Sequence, residues 1–387
     1  MYYKLKALHA AGIRLILHIF LYHGKEEETL RDIAAEIHYY PRRTGLSRQL
    51  SLLPFSVRSR DDRRLLDDLL KDSHPILFEG IQSCFLLAEP RLRERKKIVR
   101  MHNVEHEYFR LFAKSCPWGM RRFYYTMEAL KLKRFERILT HADRILPITE
   151  ADTEYYRRRF PENDVRLLNT FFDTSETPCE NNRPTAQPPN RITAQPHNRP
   201  TAQPPNRITA QPHNRITAQP HNRPYILYHG NLSIIENIKT VRYLLRDIAP
   251  QLPGGMRLVI AGRCPSERMM RAVNSTANAE IIHDPSGETM ERLLREAHIN
   301  LLLTFQPTGI KLKLLNALWK GQGHCIVNSD MLHGNSLGTL CHRADTTQDI
   351  LAAIRRLATV SPSAEELMAR RKAMAEMGFN DIGGLVV

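Results

Sequence analysis

Short Val/Ile/Leu-rich runs alternate with helix-period stretches along most of this chain, and that alternation constrains the fold more than any other feature. Before residue 182 the runs IRLILHIF, PILFEG, KKIVRMH and RILPIT alternate with the helical patterns RDDRRLLDDLLKD and YYTMEALKLKRFERILTHA. After residue 224, YILYHG, RLVIAG, AEIIHD, INLLLTF and HCIVNS alternate with NIKTVRYLLRDIAPQL, SERMMRAV, GETMERLLREAH and IKLKLLNALWKG. Strands this apolar are covered on both faces, as in parallel sheets. The expected fold class is α/β, with two Rossmann-like doubly wound domains facing a cleft. Ligands of such units sit beyond the carboxyl ends of the strands. The run from Ile13 to Tyr22 contains His18, is too short to span a bilayer and reads as a buried strand. It lacks the layout of a secretory signal.

An octapeptide (NRPTAQPP, NRITAQPH and variants) repeats from Asn182 to Pro224 and separates the two segments. It holds ten of the chain's 24 prolines and almost no apolar residue, so it cannot build a core. A disordered linker is expected there. The anticipated domains are residues 1–170, the linker 171–224, a second domain 225–345 and C-terminal helices 346–387. The net charge of +15 includes six arginines of the repeat, which has no acid, so 15 − 6 leaves +9 elsewhere. That moderate excess suits an anionic partner, whether a nucleotide, an anionic membrane face or RNA. Six cysteines are scattered without metal spacing, which points to a reducing, cytoplasmic setting.

The best-marked stretch is INLLLTFQPTGIKLKLLNALWKGQGHCIVNS. A strand ends at Phe305, a turn carries Pro307 and Gly309, and a helix opens near Ile310. Free amides and the positive dipole end at such a start favour a phosphate, and Gly309 allows close backbone approach. Lys311 and Lys313 add charge, with one of them expected to face the ligand.

TGIKLKLLNALWKGQGHCIVN resembles the donor-binding segment of the family 4 retaining glycosyltransferases, which have the GT-B fold. YHGNLSIIENIKTVRYLL is similar to the opening of that family's second domain, and IVRMHNVEHEYFRLFA to a segment of the first. The resemblance spans most of residues 13–360 outside the repeat. It implies that Gly230 and Asn231 lie against the donor diphosphate. The amides of Gly309, Ile310 and Lys311, beside Thr308, would hold the distal phosphate. His102 would face the transferred sugar as the catalytic side chain, with Asn103, Glu105 and His106 shaping that wall. It further implies a UDP- or GDP-linked donor, a saccharide or lipid-linked acceptor, retention of configuration, no cofactor and no metal, and no specific nucleic acid. Electrostatic stabilisation of the leaving diphosphate would be the main protein contribution.

Where relatives carry two glutamates eight positions apart, this chain has Thr308 and Asn316. Asn316 keeps a donor and an acceptor toward the ribose without the charge. The usual Arg and Lys phosphate pair is replaced by Asn231 and Asn237, with Lys239 nearby. The chain opens on MYYKLKALHAAG, which reads as the helix after the family's first strand. Loss of that strand would expose a sheet edge or remove a central ladder partner.

Glu79, at the end of PILFEG, is either an acceptor-side carboxylate or a solvated loop acid. Phe123, Tyr124 and Tyr125 beside Arg121 and Arg122 form either a solvated helix start or an amphipathic basic surface of the kind that rests peripherally on the inner face of an anionic membrane. Two rival functions stay open: a nucleotide-sugar epimerase of the same fold, and a catalytically impaired nucleotide or nucleic-acid binder.

Overall fold

In the second half, alternate residues of each strand point to opposite faces, and both faces are apolar. A computed structural model describes residues 2–21, 28–171, 224–305 and 311–378; the octapeptide repeat and Thr308, Gly309 and Ile310 lie outside the described residues.

The first half contains α1 (Tyr2–Ala10), β1 (Ile16–Leu21), β2 (Glu36–Pro41), α2 (Arg63–Leu69), β3 (Ile76–Glu79) and β4 (Lys97–Met101). It continues with α3 (Glu105–Ser115), α4 (Met120–Phe135), β5 (Arg144–Pro147), α5 (Glu150–Arg159) and β6 (Asp164–Val165). The second half contains β7 (Tyr225–Asn231), α6 (Ile235–Tyr243), β8 (Arg257–Arg263), α7 (Glu267–Asn274), β9 (Ala279–His283), α8 (Gly287–Glu296) and β10 (Ile299–Leu302). It closes with α9 (Leu312–Lys320), β11 (His324–Val327), β12 (His342–Arg343), α10 (Thr347–Leu357) and α11 (Ala364–Gly378).

All pairings in the second sheet are parallel, in the order β12-β11-β10-β7-β8-β9. Strand order reverses between β7 and β10, the doubly wound arrangement that opens a crevice at that point. Ile226, Tyr228, Leu258, Ile260, Ile299 and Leu301 bury on one face, with α6 and α10 residues such as Val241 and Ile354. Leu227, Val259, Ala261, Leu302 and Val327 bury on the other, with Leu314 and Leu318 of α9. Each such side chain contributes about 1.5–3 kcal/mol when fully buried, so neither face can be left open to water.

The first half forms two separate parallel sheets, β1-β2 and β3-β4-β5-β6. Phe20 of β1 and Ile76 of β3 pack against one cluster built on Tyr40, Leu65, Leu66 and Leu92, yet the two strands belong to different ladders. Among the described residues no ladder joins β1 to β3. This corrects the expectation of a buried first strand: every residue of β1 is half-buried, because a two-stranded sheet buries less of each strand. The helical stretches are also less regular than their periodicity suggests. The α4 segment tightens into a 3₁₀ turn at Glu136–His141, and the α6 segment runs on into a π turn at Leu244–Ile248. Helix α9 opens at Leu312 with Lys311 at its N-cap, two residues later than expected. Contacts gather Met1–Thr174 and Arg223–Val387 into one compact unit. No described helix is long and apolar enough to cross a membrane.

Candidate functional site

The crevice at the strand-order reversal is built first from backbone. Gly230, near the carboxyl end of β7, has Gly262 of β8 beside it; a Cβ at Gly262 would sit 1.9 Å from the Gly230 carbonyl oxygen. The following loop is tied by side chains. Tyr228 donates its hydroxyl to Asn237 Oδ1 at 2.9 Å, and Asn237 Nδ2 donates to the Asn231 carbonyl at 2.8 Å. Asn231 Oδ1 accepts from the Ser233 amide at 3.0 Å and its hydroxyl at 2.7 Å. Asn231 and Asn237 thus hold the loop rather than supply charge, and Lys239 is exposed.

The charge comes from the opposite side of the crevice. Lys313 reaches back from α9, donates to the Leu303 carbonyl at 2.9 Å and places its Nζ 5.0 Å from the Tyr228 ring centroid. Burial, then repulsion from Lys311, lowers its ammonium to about 7. Burial lowers Lys311 to about 8. His229, buried next to Gly230, is pushed down to about 3 by burial and by Lys313, so it is neutral. Glu236 of α6 is buried and accepts from Ser115 Oγ of α3 at 2.9 Å, linking the two halves. Its Oε2 has no hydrogen-bond partner among the described residues. Two ammonium groups in a desolvated place favour an anion between or beside them. Asn316 is exposed on α9.

On the first half, His102 Nε2 meets Glu79 Oε2 at 3.0 Å, and the buried Lys4 of α1 donates to Glu79 Oε1. Gly80, with φ +77°, turns the chain immediately after this carboxylate, a conformation that favours glycine. Burial alone would raise the Glu79 carboxyl, but the His102 hydrogen bond and the Lys4 charge outweigh it and hold it at about 2. The solvated-acid reading of Glu79 is therefore corrected: its side chain is 18% exposed and doubly paired. His102 keeps 42% of its side-chain surface in contact with solvent, so its far edge is available to a ligand. Glu105 turns inward. It is buried, accepts from Asn103 Nδ2 at 3.4 Å, and burial raises its carboxyl. His106 lies 3.4 Å from the buried Glu136 rather than on an open wall.

A cavity of ≈ 290 Å³ lies between the halves, lined by Thr149, Asn169, Lys311, His333 and Asn335 among others. A second of ≈ 260 Å³ shares Thr149, His333 and Gly334 with it and adds Glu107, Asp152 and Arg158. Among the described residues, Lys311 is the one sequence-anticipated site residue on either wall; His102, Glu79, Gly230 and Asn231 line neither. Thr149 and His333 escaped the sequence reading. The signal for Thr149 was present in ITEAD, because Thr149 caps α5 by accepting from the Asp152 amide. His333 carried no comparable local pattern.

This combination of a doubly wound half with its crevice at β7/β10 and a second parallel half facing it defines the GT-B architecture. Solved structures agree. A sucrose-phosphate synthase from Thermosynechococcus elongatus is similar with TM-score 0.59 at 13% identity, covering 99% of this chain and 90% of that one. A trehalose-6-phosphate synthase studied with bisubstrate glycomimetics has TM-score 0.56 at 13% identity, covering 97% and 91%. An α,α-trehalose-phosphate synthase from Burkholderia xenovorans in complex with glucose-6-phosphate has TM-score 0.53 at 10% identity, covering 93% and 87%. No protein-family model matches the chain, and no curated protein matches it by sequence.

Proposed function

We propose that the chain is a glycosyltransferase of the family 4 retaining type, moving a sugar from a UDP- or GDP-linked donor to a saccharide or lipid-linked acceptor. The observation that carries this reading is the Lys311 and Lys313 pair, two ammonium groups depressed by burial at the carboxyl end of β10. A donor diphosphate would relieve both. In this reading Gly230 and the α9 start receive the diphosphate, and His102, oriented by Glu79, meets the sugar from the other half. The leaving phosphate then takes the acceptor proton, as the resemblance implies, and the lysines stabilise the developing charge. The neighbours' names support the class, since they are synthases of sugar phosphates. The reading includes turnover without a cofactor or a divalent cation, which EDTA would leave undiminished.

The test is thermal stabilisation by UDP and GDP, followed by hydrolysis of a nucleotide-sugar panel, with Lys311→Ala as control. Stabilisation by one base and hydrolysis that falls in Lys311→Ala support the reading. No shift with any nucleotide, together with RNA binding at moderate salt, would overturn it. Hydrolysis indifferent to Lys311→Ala would move the phosphate site elsewhere.

A further inference from the structure

Glu236 is a buried carboxylate to which the transferase reading gives no role. It lies in the first turn of α6, two residues after the N-cap Ile234, where the positive end of the helix dipole favours negative charge. The residue is 7% exposed. From the first half, Ser115 Oγ at the end of α3 donates to its Oε1 at 2.9 Å, while Oε2 is buried and has no hydrogen-bond partner among the described residues. Such an oxygen is costly to bury without compensation, and the compensation here comes from nearby cations.

The adjoining Asn237 accepts from the Tyr228 hydroxyl, and Lys313 Nζ stands 5.0 Å from the centroid of the same Tyr228 ring. Helices α6 and α9 therefore bring the carboxylate and the ammonium to one place. Burial depresses Lys311 and Lys313, and Lys311 depresses Lys313 further. Glu236 is the acid that opposes this at both lysines, joined by Asp330 at Lys311. The same carboxylate reaches the first half's Tyr108, whose phenol is pushed up to about 12 by burial and then by Glu105 and Glu236.

The phosphate site thus combines two ammonium groups with a carboxylate. That combination matters because a diphosphate changes charge during transfer. In a nucleotide sugar each phosphate carries one negative charge. Once the sugar has left, the terminal phosphate is a monoester and loses a second proton near pH about 6. At pH 8 the product carries one charge more than the donor. Lysines alone would hold the product more tightly than the donor, and a fixed carboxylate beside them takes back part of that preference.

We propose that Glu236 is a charge-selecting residue of this site, disfavouring the extra negative charge of a released nucleoside diphosphate relative to the donor diphosphate and so easing its release. The inference rests on the donor-site reading above and adds a discrimination to it. It is tested by calorimetric titration of the full chain at pH 8 with UDP and GDP and with their β-methyl esters, in which a methyl group replaces the last ionisable proton. Glu236 also helps to keep the lysines protonated. A diphosphate and its ester share most of that contribution, so the readout is the ratio of their Kd values. In Glu236→Gln, which keeps an acceptor for Ser115, the ratio is expected to shift by about tenfold toward the free diphosphate. Glu236→Met removes the same charge, gives the same shift and carries the test if the first variant does not fold. Glu236→Asp keeps the charge and stays within about twofold of the parent ratio. An unchanged ratio in the neutral variants, or a shift toward the ester, overturns the inference and leaves the donor site in place. A parent chain that binds neither UDP nor GDP overturns the donor-site reading itself, and the inference with it.

Discussion

His102 Nε2 and Glu79 Oε2 lie 3.0 Å apart, and the same carboxylate is engaged on its other oxygen by the buried Lys4. Helix α1, β3 and the chain following β4 therefore meet in one hydrogen-bonded triad. Lys4 is itself disfavoured by burial, so the triad is worth less than the depression of Glu79 alone implies. Removing one partner nevertheless strands a charge. Lys4→Met is expected to cost about 3–5 kcal/mol in urea unfolding, and adding Glu79→Gln to recover part of that loss.

The same triad sets an acid limit. Glu79 is held at about 2 against an ordinary 4.5, so its stabilisation is present above pH 4.5 and is lost as pH falls from there toward 2. Unfolding free energy measured across that window should slope less steeply in Glu79→Gln than in the parent chain. Equal slopes would remove Glu79 as the source.

The lysines of α9 behave in the opposite window. Lys313 at about 7 and Lys311 at about 8, against 10.5 unfolded, make the free chain gain stability as pH rises through the interval between those values. Nucleotide diphosphate restores their charge, so calorimetry at about pH 8 in buffers of different ionisation enthalpy should show net proton uptake on binding. Lys313→Met should weaken that binding by roughly ten- to hundredfold without lowering the melting temperature. Binding that releases protons would refute the placement.

Asp152 sits at the second cavity with Oδ2 unpartnered among the described residues, and burial raises its carboxyl to about 6. A raised acid stabilises below its unfolded value of 3.8 and loses that contribution as pH climbs through 6. Asp152→Asn should therefore raise the melting temperature above pH 6 and leave it nearly unchanged in acid, read by thermal melts at both ends. A uniform shift would indicate a packing effect instead.

Gly262 tests the backbone of the crevice. A methyl group there meets the Gly230 carbonyl at 1.9 Å, across two paired central strands that have no room to part. Gly262→Ala should cost about 1–3 kcal/mol or more and displace the Gly230–Asn231 loop, seen as lower stability together with weaker nucleotide binding. Gly255→Ala, with open space around its Cβ but φ of +88°, is a milder control outside the crevice.

Much of the architecture was legible along the chain. Val/Ile/Leu runs such as INLLLTF, RLVIAG and HCIVNS needed cover on both faces, as parallel strands between helices have. Strands β2, β6 and β12 were not read, because EIHYYP is polar and aromatic and the other two are two residues long. The pairing order, and with it the gap between β1 and β3, has no local signature, since ladder partners are chosen by packing between distant segments. The site divides the same way. Lys311 and Lys313 announced themselves by their place beyond a strand. The tertiary structure alone decided that Glu79 is paired rather than solvated, that Glu105 turns inward, and that Lys313 loses its water. Each of those outcomes depends on which groups from far along the chain displace solvent from a side chain, and desolvation is a property of the packed whole.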